Sequence, residues 1–289
     1  SKNKTYYFDG DGNKVTGWQE IKGSYYYFNK KGAMAKNTWM NHEDSKSYIG
    51  KDGKAVIGWY TEDGKEYYFD EKGLMETGTL RLGMTEYQFD GQGVLVSQEV
   101  KGIDKDKPMV ALTFDDGPGK RTGELLAQLK KYNAHATFFM LGQNVSSYQD
   151  EVKEMKKIGC ELGNHSYSHA NLGKAGEDVI KKEVEDTNAK IKKIAGQEAT
   201  VMRPPYGSIS STLRENVGMP MILWNIDTLD WKTKNAKSTI DEVMNNAKDG
   251  DIILMHDIHS TTIDAALELN PKLQEAGFQL VTVSELAAA

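Results

Sequence analysis

The stretch Met109–Pro118, MVALTFDDGP, decides how the second half of this chain folds. Its first six residues are apolar or β-prone and are typical of a buried strand, so Asp115 and Asp116 come directly after the end of that strand. In α/β folds, the carboxyl ends of parallel strands gather the groups that bind ligands. Two adjacent carboxylates at this place therefore predict a functional site, although Asp-Asp before Gly-Pro is by itself ordinary turn chemistry.

A second motif, HSYSH at residues 165–169, follows a short strand-like run at residues 161–163. Its two histidines lie on one face if the segment forms a helical turn. One carboxylate and two neutral imidazoles supply three ligands for a divalent cation, whereas structural zinc sites are closed by four protein ligands. The two motifs together predict a catalytic metal site with open positions for water or substrate.

Three further motifs complete an ordered set: RPPYG at 203–207, DTLDW at 227–231 and ILMHD at 253–257. With the first two, they resemble the motifs of the polysaccharide deacetylase family, the NodB-like group of carbohydrate esterases (family 4). The resemblance extends from about Lys107 to the C-terminus. No catalytic position departs from the family pattern.

This resemblance implies a role for each matching residue. Asp116, His165 and His169 would bind one divalent metal, with zinc favoured over cobalt, manganese or iron. Asp115 would be the general base that activates the attacking water, and Arg203 would pair with it.

The resemblance also implies how the reaction is completed. His256 would be the general acid, oriented and kept charged by Asp230, and the backbone N–H of Tyr206 would stabilise the oxyanion. Substrate would contact Trp231, Leu254 and Pro205. Leu254 and Trp231 can also be ordinary core side chains, and from the residues alone a place in the core is favoured for Leu254. The remaining histidines are interpreted as surface or structural residues: His42, His135 and His259.

Apolar runs alternate with amphipathic segments over residues 108–289, which predicts a parallel α/β sheet. About seven such units favour an irregular barrel, in keeping with the distorted (β/α) barrel of the family. Two helices are marked by apolar residues at helical spacing, one at 125–132 and a longer one at 180–194. Strands are predicted near residues 109–114, 136–140, 160–163, 201–202, 221–226, 251–255 and 279–283.

The first hundred residues contain a repeat of about 20 residues, seen as aromatic clusters such as those at 6–9, 25–29 and 67–70. Each cluster is followed by a glycine-containing turn and a second short strand, which predicts an all-β array of stacked hairpins. The array resembles the cell-wall-binding repeats of bacterial surface proteins, including choline-binding and glucan-binding modules. Residues 1–97 are assigned to this module, 98–107 to a linker and 108–289 to the catalytic domain.

The aromatic residues of the repeats have two interpretations. They are either sites for a wall ligand, through aromatic cages or stacking on sugar, or the core of the array. The pattern is imperfect, because residues 47–49 lack paired aromatics and Thr79-Leu80 replaces a tryptophan. The candidates are Trp18, Tyr26, Trp39, Trp59 and Tyr68.

Composition excludes several classes of protein. The 289 residues carry a net charge of -6 without a basic, aromatic-rich patch, which argues against nucleic acid as a partner. No run of 18 apolar residues predicts a membrane span. One cysteine, Cys160, excludes an intramolecular disulfide framework. No signal-peptide pattern begins at Ser1, as expected of a mature chain.

The sequence therefore predicts a secreted, cell-wall-associated enzyme of a Gram-positive bacterium. It would remove N-acetyl groups from N-acetylglucosamine residues of peptidoglycan or a related polysaccharide, while the repeats hold a cell-wall polymer. Alternatives are an O-acetyl esterase on xylan and a deacetylase of chitin oligomers. The non-enzymatic alternative is a wall-binding protein with an inactive catalytic module.

Overall fold

The computed structural model describes residues 4–289, so the first three residues of the predicted module, and the prediction made at Ser1, lie outside the described residues. Contacts within the chain define two units. One runs up to Arg81 and includes Glu86–Glu99, and the other comprises Leu82–Thr85 and Val100–Ala289.

The first unit is a series of short antiparallel hairpins, as the repeats predict. The first six strands pair two by two, and β7, β8 and β9 form a three-stranded sheet. The strands are β1 Gly17–Ile21, β2 Ser24–Phe28, β3 Thr38–His42, β4 Ser45–Ile49, β5 Gly58–Glu62, β6 Lys65–Phe69, β7 Gly78–Leu82, β8 Thr85–Phe89 and β9 Leu95–Val100.

The order of strands within a hairpin differs from the prediction. The aromatic strand pairs fully with the tryptophan strand that precedes it, as β2 does with β1. The reason is the intervening turn, where Lys22 and Gly23 both have positive φ and form the kind of two-residue turn that matches strand twist. With the segment after it, the aromatic strand makes a single bridge, such as that between Phe28 and Met34.

The segment predicted as a linker begins inside a strand. Because β9 extends to Val100, residues 98–100 are part of the three-stranded sheet. The polar sequence at this point misled the prediction, since this edge strand is largely exposed and needs few apolar residues.

The second unit alternates strands with helices. Its strands are β10 Met109–Asp115, β11 Thr137–Met140, β12 Glu161–Asn164, β13 Val201–Met202, β14 Ile226–Asp227, β15 Asp251–His256 and β16 Gln279–Leu280. Its helices are α1 Thr122–Lys131, α2 Gly142–Val145, α3 Gln149–Lys157, α4 Glu177–Ala195, α5 Ser211–Asn216, α6 Asp230–Thr233, α7 Ala236–Asn246, α8 Ser260–Glu275 and α9 Val283–Ala288.

All pairings in the sheet of this unit are parallel, in the order β13-β12-β11-β10-β15-β14, with β16 beside β10. The central strand β10 is buried over its whole length. The predicted long helix is α4, whose buried face comprises Ile180, Val184, Thr187 and Ile191. The strand predicted to reach Val283 ends at Leu280, because Thr282 caps helix α9 with a capping box.

The strand predicted at residues 221–226 is broken into two parts. The parts pair with opposite edges of the sheet and so close it into a distorted barrel. Met221 bridges to β13, whereas Ile226 pairs with β15 on the other side. Between them, the carbonyls of Ile222 and Leu223 accept hydrogen bonds from the side chain of Arg203 instead of from a neighbouring strand. The buried guanidinium of Arg203 therefore takes the place of hydrogen bonds that a neighbouring strand would otherwise make.

Among residues 4–289, no helix combines the length and apolar character that crossing a membrane requires.

Candidate active site

The predicted site residues meet at the carboxyl ends of the parallel strands. Asp115 ends β10, His256 ends β15, and His165 directly follows β12. Strands β10 and β15 are neighbours and β11 alone separates β10 from β12, so residues far apart in sequence meet at one edge.

Asp116, His165 and His169 form a compact cluster. Their candidate ligand atoms all lie within 4.8 Å of one another. The Oδ1 atom of Asp116 lies 3.4 Å from the Nε2 atoms of both histidines. The HSYSH segment is not the helical turn considered from its spacing, because Ser166 and His169 have positive φ. An irregular loop brings the two imidazoles together instead.

The chemistry of this cluster fits a divalent cation. The Nδ1 atom of His165 lies 2.6 Å from the carbonyl of Arg203, which can only accept, so Nδ1 carries the proton and Nε2 presents its lone pair. Oδ1 of Asp116 is buried without a hydrogen-bond partner among the described residues. A buried carboxylate oxygen without a donor is costly unless something else, such as a cation, compensates it.

The pKa values of Asp116 and His169 are shifted in the directions expected of metal ligands. Burial raises the pKa of Asp116, but the imidazoles of His165, His256 and His169, when protonated, outweigh it and hold this pKa below its usual value. Burial lowers the pKa of His169, against the opposing charge of Asp116. An ionised carboxyl and neutral imidazoles are the forms that bind a metal.

Asp115 lies beside this cluster and is held by a buried cation. Its Oδ1 accepts a hydrogen bond of 2.8 Å from Nη1 of Arg203, a residue that is 0% exposed. Its Oδ2 lies 3.6 Å from Nε2 of His165 and so faces the cluster. The same Nη1 donates to Oγ1 of Thr113, and the guanidinium lies 4.2 Å from the ring centroid of Phe139.

His256 ends the strand next to that of Asp115 and is coupled to Asp230. Its Nδ1 is 2.8 Å from Oδ1 of Asp230, and its backbone N–H donates to Oδ2 at 2.7 Å. Thr262 adds a hydrogen bond of 2.7 Å to Oδ2. Burial lowers the pKa of His256, but the hydrogen bond and the charge of Asp230 outweigh it and raise this pKa to about 9.

The site opens into a cavity of about 410 Å³. Pro204 lines it, whereas Pro205, which the resemblance placed at the substrate, is buried in the turn that follows. Arg203 and Asp230 are not part of the lining and act from behind Asp115 and His256. The lining residues are Asp115, Asp116, His165, His169, Pro204, Tyr206, Trp224, Asp227, Trp231, Leu254 and His256.

Several side chains around the site were not singled out from the sequence. Trp224 and Asp227 line the cavity, and Thr113 and Thr262 bond to its charged groups. Asp227 lies inside the DTLDW motif, so its acidic character was a visible signal. The threonines gave no signal, because an isolated threonine is common in strands and helices alike.

The backbone of the site is unusual. Asp116, His169, Tyr206 and Leu229 have φ between 54° and 71°. Non-glycine residues in such conformations cost about 1–3 kcal/mol each and persist where the surrounding structure holds them. Gly117 is required for a different reason, since a Cβ there would lie 2.1 Å from the carboxylate of Asp257.

The tryptophans of the first unit are half-buried among other aromatic rings. Trp18 stacks on His42 at 3.8 Å, while Trp39 contacts Tyr67 at 5.0 Å. Trp59 packs against Tyr87 at 4.9 Å. Of the other two candidates, Tyr68 is buried and Tyr26 is half-buried. These contacts place the rings in the core of the array, and Trp18, Trp39 and Trp59 remain partly exposed.

Two of the three remaining histidines make side-chain contacts outside the site. His42 is buried, and its Nδ1 lies 2.8 Å from Oγ of Ser47. His135 pairs with Glu285 at 2.9 Å. His259 directly precedes α8, with its ring 6.2 Å from that of His256.

Comparison with known proteins matches segments of both units. A family model described as polysaccharide deacetylase matches residues 102–219. A choline-binding repeat matches residues 1–39 and 15–54, and a cell wall binding repeat matches residues 57–75.

Named relatives carry the same domain. The peptidoglycan-N-acetylmuramic acid deacetylase PdaC of Bacillus subtilis is 47% identical over 185 residues, which cover 64% of this chain and 40% of the relative. A peptidoglycan-N-acetylglucosamine deacetylase of Bacillus cereus is 35% identical over 188 residues, covering 62% of this chain and 68% of the relative. The solved structure of PdaC from Bacillus subtilis matches with a TM-score of 0.63 at 46% identity, covering 64% of this chain and 93% of that chain.

The fold of the second unit is shared with the solved structure of PdaC, and the chain belongs to the polysaccharide deacetylase family. Its N-terminal unit carries choline-binding and cell-wall-binding repeats. The chain spans about two fifths of the length of PdaC, the more similar of the two relatives described.

Proposed function

We propose that this protein is a metal-dependent deacetylase that hydrolyses N-acetyl groups on N-acetylglucosamine residues of peptidoglycan or a related polysaccharide. The observation that carries this proposal is the arrangement around the cavity. A three-ligand cluster, a carboxylate fixed by Arg203 and an imidazole fixed by Asp230 all line it. Such a site offers a metal, a base and an acid to one substrate.

Asp116, His165 and His169 would hold the cation, for which zinc is the proposed metal over cobalt, manganese or iron. When bound, the cation lowers the pKa of a coordinated water and polarises the acetyl carbonyl. Asp115 then accepts a proton from the attacking water through Oδ2, because its Oδ1 is already engaged by Arg203.

The other residues complete the cleavage of the amide bond. Water oxygen bonds to the acetyl carbon, and the backbone N–H of Tyr206 donates to the oxyanion that develops. As the C–N bond breaks, the amine nitrogen takes a proton from Nε2 of His256, whose Nδ1 is held by Asp230. The products are acetate and a free amino sugar.

One acidic side chain of the cavity favours a neutral sugar over an anionic one. Of the three aspartates that line it, Asp115 and Asp116 are assigned as base and metal ligand, and Asp227 has neither role. N-acetylmuramic acid carries a lactyl carboxylate, which Asp227 would repel. The competing candidate is deacetylation of N-acetylmuramic acid, favoured by the name of the 47% identical relative.

The test is acetate release from three substrates: peptidoglycan, chitin oligomers and acetylxylan. We expect release from the first two and much slower release from acetylxylan, with mass spectrometry of the digested wall placing the lost acetyl group on glucosamine. An Asp115→Asn variant is the blank. Release from acetylxylan alone would overturn the proposal in favour of an O-acetyl esterase, and no release from any substrate would support a wall-binding protein with an inactive module.

The alkaline limb of the activity profile should depend on Asp230. His256 must be protonated to act as an acid, so kcat/KM is expected to fall as the pH rises through about 9. Asp230→Asn removes the opposite charge that raises this pKa, and the limb should move towards 6.5, the ordinary value for histidine. The measurement is kcat/KM against pH.

The control for this prediction is Thr262→Val. This change removes one hydrogen bond to the same carboxylate and leaves its charge in place, so the limb should move far less. An unchanged limb in Asp230→Asn would mean that Asp230 does not set the protonation of His256.

The repeats are proposed to anchor the enzyme, as a secreted protein, to a polymer of a Gram-positive cell wall. Support comes from the partly exposed tryptophans and from the match to choline-binding repeats. The family motifs all lie after residue 107, so the repeats contribute no motif of the catalytic site.

Removing residues 1–77, which contain the three tryptophans of the repeats and leave strands β7 to β9 whole, is expected to leave kcat on a short soluble oligosaccharide nearly unchanged and to weaken retention on insoluble wall. The reason is that a tethered second site acts through effective concentration and not on the chemical step. Retention is measured by sedimentation with wall sacculi, and circular dichroism verifies that the truncated protein is folded. Equal retention of a folded truncated protein would contradict the anchoring role.

A further inference from the structure

The metal-binding loop at residues 165–169 has a conformation that needs external support. Ser166 and His169 have φ of 67° and 65°, a region that non-glycine residues rarely adopt. Both histidine ligands belong to this loop, so its conformation sets the distance between their imidazoles. Whatever holds the loop also holds the metal site.

Glu183 on helix α4 supplies that support. Its Oε2 accepts hydrogen bonds of 2.8 Å from the backbone N–H groups of Tyr167 and Ser168. Its Oε1 accepts a third, also 2.8 Å, from the hydroxyl of Ser168. Both oxygens of one carboxylate thus bind the centre of the loop, between the two ligands. Glu183 does not line the cavity and is not part of the ligand cluster.

The same helix holds the start of the loop through Asn164. The amide nitrogen of Asn164 donates to the carbonyl of Val184 at 3.0 Å and to Oδ1 of Asn188 at 2.9 Å. Its Oδ1 accepts from the backbone N–H of Ser166 at 2.8 Å. The loop is therefore fixed to α4 at its beginning and in its middle. His169 closes it, donating its own backbone N–H to the hydroxyl of Ser166 at 3.0 Å.

We propose that Glu183 is a positioning residue that pre-forms the loop so that His165 and His169 face Asp116 before a metal arrives. This inference rests on the proposed metal site. Without Glu183, two backbone N–H groups lose their acceptor, and the loop has to be ordered when the metal binds. The cost appears as weaker metal binding, because outer groups that orient metal ligands typically contribute 10- to 100-fold to affinity.

The test measures Zn²⁺ affinity of the full chain by competition with a chromophoric chelator. Glu183→Ala is expected to weaken Zn²⁺ binding about 10- to 100-fold. Glu183→Gln should recover part of the loss, because its amide oxygen still accepts from the backbone. The matched control is Glu185→Ala, an exposed position on the same helix that makes none of these bonds, and it should bind Zn²⁺ as the wild type does.

Circular dichroism of the metal-free variants separates positioning from general unfolding, and affinities are compared at a temperature where each is folded. If Glu183→Ala does not fold, Ser168→Ala, which removes only the third hydrogen bond, and Glu183→Gln carry the test, and both should bind Zn²⁺ more weakly. Wild-type affinity in the folded Glu183 variants would overturn the proposal. His165→Ala distinguishes that failure from failure of the metal site itself, since wild-type affinity in His165→Ala would mean that the site lies elsewhere.

Discussion

Asp115→Asn is expected to lower kcat/KM by about 100-fold or more while metal content stays at the wild-type level. Asparagine keeps the shape of the side chain and its contact with Arg203 but cannot accept a proton from water. Asp115 is outside the three-residue ligand cluster, so the metal should remain bound. Steady-state kinetics and elemental analysis on the same sample make the measurement.

The stability of this variant must be measured with its activity. Arg203 is buried, and removing the charge of its partner costs about 3–5 kcal/mol in comparable buried pairs. Chemical denaturation therefore has to establish that the assay temperature lies below unfolding. Turnover close to wild type in the folded variant would exclude Asp115 as the base.

His165→Ala is expected to abolish both metal retention and activity. It removes one of three ligands and also leaves the carbonyl of Arg203 without the Nδ1 proton that it accepts. Protons compete with the metal for the imidazoles, so wild-type affinity should also fall at acidic pH, and the lowered pKa of His169 places its own share of this fall below the ordinary histidine range. Elemental analysis after dialysis measures retention.

The matched control for this prediction is His135→Ala. His135 pairs with Glu285 and is not part of the cavity lining, so this variant should keep its metal. Full metal occupancy in His165→Ala would contradict the ligand assignment, and loss of metal in both variants would point to a general effect of unfolding.

The sequence predicts the sheet well where the physical signal is local. Met109–Phe114 is a continuous apolar run, and the strand that it forms is buried on both faces. Ends of strands are also predictable, because Asp115 and His256 are the first polar groups after such runs. This is why the cluster at the carboxyl edge could be anticipated.

Features that depend on distant partners could not be predicted in the same way. The strand expected at 221–226 is broken because Arg203, about 20 residues earlier, takes the carbonyls of Ile222 and Leu223. Glu183 resembles any exposed acidic residue of a helix until the loop that it holds is in place. Left-handed backbone at His169 is likewise invisible in a sequence that shows no glycine there.

Arg203 has a consequence for protein engineering. One guanidinium orients Asp115 and also joins the broken segment of the barrel, through hydrogen bonds that leave in three different directions. A lysine has the charge but not the planar fork that makes those bonds together. Laboratory evolution of the pH optimum is therefore constrained at Asp115. A substitution of Arg203 that changes the proton affinity of this carboxylate also removes the hydrogen bonds to Ile222 and Leu223 that hold the barrel. Substitutions at His256 and Asp230 can shift the pH optimum while the hydrogen bonds of Arg203 to Ile222 and Leu223 keep the barrel closed.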